Sequence, residues 1–85
     1  MDVWIANDDR ENLFAEIHYD NEDWAEVIYD DERGAFTLTI FKPRDGKDSY
    51  VFLLSDVQEA LAKAKQRLID AGYGNSDEQE QITLA

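Results

Sequence analysis

Apolar and polar residues alternate with a period of two through most of the first half of the chain. A helical period takes over in one later stretch. The alternation is clearest in a repeat: Phe14-Ala15-Glu16-Ile17-His18-Tyr19-Asp20 returns ten residues later as Trp24-Ala25-Glu26-Val27-Ile28-Tyr29-Asp30. Consecutive strands separated by turn formers produce such spacing, so the pattern predicts a β-hairpin turning within Asp20-Asn21-Glu22-Asp23. Two copies are too few for a solenoid. Side chains on a strand alternate between faces, so Leu13, Ala15, Ile17 and Tyr19 share one face with Ala25, Val27 and Tyr29. Pairing odd positions with odd positions needs an odd loop, which puts residues 20–22 at the tip. Ala15 then faces Val27, Ile17 faces Ala25, Glu16 faces Glu26, Phe14 faces Ile28 and His18 faces Trp24.

Residues 35–42, AFTLTIFK, alternate again and predict a third strand of this run. Asp31-Glu32-Arg33-Gly34 is its turn, with Gly34 free to take a positive φ. That loop pairs Val27 with Leu38, Ala25 with Ile40, Glu26 with Thr39 and Trp24 with Phe41. Residues 7–12 and 43–49 read as loops. Tyr50-Val51-Phe52-Leu53-Leu54 predicts a short strand buried on both faces, and Val3-Trp4-Ile5 is a candidate first strand. A helix follows, with Ser55 as N-cap, Gln58 completing a capping box and Gly72 as terminator. Its apolar stripe is Val57, Ala60, Leu61, Ala64, Leu68 and Ala71.

These elements predict an α+β fold: an antiparallel β-meander of four or five strands with one C-terminal helix packed on one face, in two layers. The compact domain is expected over residues 1–73. Residues 74–85, with only Ile82 and Leu84 as apolar anchors, are expected to be a disordered acidic tail. The main core is expected to be Val27, Leu38, Ile40, Leu61 and Leu68.

Composition narrows the function more than it identifies it. The 85 residues include 20 acids against 8 bases, a net charge of −12, and no cysteine. Cysteine-based zinc sites, disulfides and thiol nucleophiles are therefore excluded. Residues 1–34 hold 12 of the acids and 2 of the bases. Such a field repels nucleic-acid phosphates and anionic membrane and attracts cations. No apolar run approaches a membrane span. The opening MDVWIANDDR lacks the basic start of a signal peptide, so the cytoplasm is the expected compartment.

The candidate site is the sheet face away from the helix, where the register gathers Phe14, Glu16, His18, Trp24, Glu26, Ile28 and Phe41. An open sheet face is normally polar, and aromatics rimmed by charge mark an interaction surface. Coverage of this face by residues 3–5 or by the tail is the competing expectation. Glu16 opposite Glu26 reads as a solvated pair, a seat for a partner's cation, or a catalytic carboxylate pair, in that order. His18 reads as a ring stacked by Trp24 rather than a metal ligand. Lys63 and Arg67, four apart, read as a solvated helix face. The Asp-rich turns lack the calcium-loop pattern, and no phosphate-binding glycine loop is present. No metal or cofactor is expected.

The function expected from these features is that of a small acidic protein-binding module. It would be an inhibitor-like, antitoxin-like or immunity-like protein that meets a basic macromolecule through this face. The alternative is a homo-oligomeric scaffold using the same face, with a carboxylate enzyme built on Glu16, Glu26 and His18 a distant third. The expected partner is a basic protein or a second copy of the chain.

Overall fold

The computed structural model describes residues 1–7, 13–43, 48–75 and 79–84. Of the expected loops, residues 8–12 and 44–47 lie outside the described residues, as do 76–78 and 85 of the expected tail. The chain forms β1 (Asp2–Ala6), β2 (Phe14–Tyr19), β3 (Glu22–Asp30), β4 (Ala35–Ile40), α1 (Leu54–Asp70) and β5 (Gln79–Leu84). The strands make one sheet in the order β1-β2-β3-β4-β5. The first four run antiparallel to their neighbours, and α1 packs across β1, β2 and β3. This is the expected α+β fold in two layers.

Val3-Trp4-Ile5 is a strand, with Val3 opposite Ile17 and Trp4 opposite Glu16. The hairpin pairs Ala15 with Val27, Glu16 with Glu26 and Ile17 with Ala25, as alternation predicts. It reaches that register by a different route. The turn has two residues, Asp20 and Asn21, both at positive φ (52° and 65°). Two positive φ values make the tight turn whose twist matches the strands, and Asp and Asn tolerate them best after glycine. A two-residue loop alone has the wrong parity. A bulge restores it: Ile17 faces Ala25 while His18 faces Asp23, which leaves Trp24 as the extra residue on β3. The second turn is as expected, with Gly34 at φ 61°. Asp30 Oδ1 accepts hydrogen bonds from the Glu32 and Arg33 amides at 3.0 and 3.3 Å.

The core lies between the sheet and α1. The helix buries Ala60, Ala64 and Leu68, one residue per turn, against Val3, Ala15, Ile17, Ala25, Val27, Phe36 and Leu38. Alanines let the helix approach the strands closely, and Leu68 is the large side chain that fills the space. Of the expected core residues, Val27, Leu38 and Leu68 are buried, and Leu61 and Ile40 are partly buried against them. Arg67 donates to the Val3 carbonyl, and Lys65 reaches Glu80 at 3.2 Å and lies over the Phe36 ring. Two of the helix bases are thus structural. The helix ends as expected at Gly72, whose φ is 97°. The Tyr73 amide donates to Leu68 O at 3.0 Å and the Gly72 amide to Ile69 O at 2.9 Å, the pair of bonds that closes a glycine-terminated helix.

Three expectations are corrected. Residues 79–84 of the expected disordered tail form β5, which pairs in parallel with β4, Leu38 opposite Ile82. A parallel neighbour requires a long crossover, and α1 is that crossover. The helix is therefore not the last element, and the sheet is not purely a meander. Secondly, Tyr50-Val51-Phe52-Leu53 is not a buried strand: Val51 is 90% exposed, and Leu53 and Leu54 are exposed too. The place beside β4 that such a strand would take is held by β5. Thirdly, the helix begins a residue before Ser55. Leu53 is its N-cap and makes no side-chain capping bond.

Candidate functional site

The face of the sheet away from α1 carries Asp2 and Trp4 from β1, Phe14, Glu16 and His18 from β2, and Glu26, Ile28 and Asp30 from β3. Thr37 and Thr39 continue it on β4. Pairing fixes this membership, since Asp2 faces His18, Trp4 faces Glu16, Glu16 faces Glu26, and Ile28 faces Thr37. Both ends of the face are not alike. Phe14 and Ala35 are buried at one end, outside the helix-side core cluster. At the other end Trp4 is 59% exposed and its ring lies 5.6 Å from the His18 imidazole. His18 Nε2 lies 3.4 Å from Glu16 Oε1. Indole, imidazole and carboxylate thus form one half-open surface.

The charge on the strands is one-sided. The five strands contain Asp2, Glu16, Glu22, Asp23, Glu26, Asp30 and Glu80, and no Lys or Arg. The helix, in contrast, carries Lys63, Lys65 and Arg67 alongside Asp56, Glu59 and Asp70. The chain's negative field is therefore concentrated in the sheet layer.

Of the residues gathered by sequence reasoning, Glu16, His18, Glu26 and Ile28 do share this face, and Phe14 shares it but is buried. Trp24 does not belong there. The bulge turns its indole to the helix side, where it is 3% exposed and packs 4.8 Å from Phe52. Phe52 also touches Tyr19, whose parity is that of buried Ile17. The expected pairing of His18 with Trp24 is accordingly replaced by His18 with Asp23. Phe41 stays beside Trp24, its amide donating to Trp24 O at 2.9 Å, and lines a hollow of about 390 Å³ with Trp24, Tyr50 and Phe52. The aromatic neighbour expected for His18 is supplied by Trp4, which lies diagonal to it on β1. Its signal was present in Asp2-Val3-Trp4-Ile5, where apolar Val3 alternates with residues that face outward.

Among the described residues, no three Asp, Glu or His side chains converge on a metal site, and no helix is long and apolar enough to cross a membrane. The chain matches no protein-family model, no curated protein and no solved structure.

Proposed function

We propose that this protein is an acidic binding module that receives a basic protein on the open face of its sheet, as an inhibitor, antitoxin or immunity protein does. It works by occupying its partner rather than by catalysis. The observation that carries this reading is the set Asp2, Glu16, Glu26 and Asp30 on the open face of a sheet whose strands contain no Lys or Arg, with the exposed indole of Trp4 at its open end. Acidic fields of this kind speed encounter with a cationic surface, and an exposed aromatic side chain supplies the anchor. Self-association through this face is the poorer reading. A two-fold contact would set Asp2, Glu16 and Glu26 against their own copies, like charge facing like charge.

The test compares affinity capture by the tagged wild-type chain with capture by the triple variant Trp4→Ser, Glu16→Lys, Glu26→Lys, its fold checked by circular dichroism. The wild type is expected to retain a protein with more Lys and Arg than Asp and Glu, near one-to-one, at low salt. Raising salt and introducing the variant should both release it, because exposed charges are screened. Retention of the same proteins by wild type and variant would overturn the assignment of this face.

A further inference from the structure

On the other side of the sheet, the tip of the β2–β3 hairpin and the chain entering α1 enclose a cleft of about 460 Å³. Tyr19, Trp24, Tyr50 and Phe52 supply its aromatic wall, and Asp20 and Glu22 supply its carboxylates. Its size falls in the range of ligand sites, roughly 300–1,000 Å³. We infer that this cleft binds an organic monocation, an alkylammonium or guanidinium group, between the exposed aromatic faces and the hairpin carboxylates.

The rings are held in place by one another. Phe52 packs against Trp24 at 4.8 Å, Tyr19 at 5.1 Å and Tyr50 at 5.5 Å, the last nearly parallel at 15°. Trp24, buried by the bulge, is the floor that fixes this stack. Tyr19 is 52% exposed and Tyr50 half-buried, so both leave ring surface to the cleft. An aromatic face attracts a cation through its quadrupole, and several faces around one cation are the usual means of recognising a quaternary ammonium. Asp20, within the two-residue turn, and Glu22, the first residue after it, add formal charge of the right sign. No Lys or Arg lines the cleft among the described residues. An anion would meet two carboxylates here, and a neutral apolar ligand would leave them without a complement.

This site lies on the opposite side of the sheet from Glu16 and Glu26 and stands apart from the basic-protein reading. The test is NMR titration of the full chain with choline chloride at constant ionic strength. Parallel titrations use 3,3-dimethylbutan-1-ol, its uncharged isostere, and a short peptide carrying one trimethyllysine. Choline is expected to give saturable shifts at Tyr19, Asp20, Glu22 and residues 50–52 and none at Glu16 or Glu26. The neutral isostere should bind at least threefold more weakly. Tyr19→Leu should weaken choline by about threefold, the scale of one exposed cation–π contact. Asp20→Asn, which suits the positive φ at that position, should weaken it with the fold unchanged. Tighter binding of the peptide than of choline assigns a protein side chain as the source, and the reverse assigns a small molecule. Equal affinity for choline and the neutral alcohol, absence of saturation, or shifts that ignore both variants would overturn the site.

Discussion

The position of Trp24 decides how the sheet divides its two faces, and its replacement measures that directly. In Trp24→Ala the lost burial is large: a buried aromatic removes about 150–250 Å² from water, worth roughly 4–6 kcal/mol at about 25 cal/mol per Å². Against this stands the indole N–H, which is buried without a hydrogen-bond partner among the described residues. Removing an unsatisfied donor returns about 1–3 kcal/mol. The net expectation is a loss of about 1–5 kcal/mol, overlapping the range of large-to-small aromatic substitutions. A domain of 85 residues has about 4–13 kcal/mol in total, so this one change removes a substantial share of it. Trp24→Phe keeps the packing against Phe52 and removes the orphan donor, so it should fall within about 1 kcal/mol of wild type. Trp4→Ala, on the open face, should cost less than about 1 kcal/mol. Urea unfolding followed by far-ultraviolet circular dichroism gives all three values. Equal costs for Trp4→Ala and Trp24→Ala, or a Trp24→Ala cost below about 1 kcal/mol, would place Trp24 outside the core and remove the bulge from the account.

Other consequences follow from the same packing. Leu68→Ala, at a fully buried position against the sheet, should cost about 2–5 kcal/mol in the same urea assay. Gly74→Ala should destabilise by about 1–3 kcal/mol on thermal unfolding. Its φ is +67°, and an added Cβ would sit 2.7 Å from the Tyr29 ring and 2.9 Å from the Phe36 ring. Ending the chain at residue 75 deletes β5 and leaves β4 as an unpaired edge. Amide exchange along β4 should then accelerate, whereas a dispensable tail would leave it unchanged.

Much of the sheet was legible because period-two alternation specifies a face, and a face specifies a register. Glu16 opposite Glu26, and Val27 opposite Leu38, were readable before any geometry. The bulge was not. An odd three-residue loop and an even turn plus one extra residue give the same pairing upstream, and only the second moves Trp24 to the helix side. Alternation therefore grouped Glu16, His18, Glu26 and Ile28 on one face as the pairing has them, and placed Trp24 there wrongly. β5 was illegible for another reason. Its partner β4 lies far away in sequence, and Gln79-Glu80-Gln81-Ile82-Thr83-Leu84 has few apolar residues to announce a strand. Parallel pairing supplies what its composition does not. Once β5 holds that edge, Val51 and Leu53 have no strand to join, although their apolar run resembles one.

The claim that the open sheet face meets a basic protein is tested most directly by site-specific photo-crosslinking in extract at low salt. One chain carries p-benzoylphenylalanine in place of Trp4, and a second carries it in place of Ala62 on the exposed side of α1. A single dominant adduct is expected from position 4, to a protein rich in Lys and Arg. That adduct should fade as salt rises and be missing from position 62. Adducts of equal yield from both positions, or a position-4 adduct only to a second copy of the chain, would contradict it.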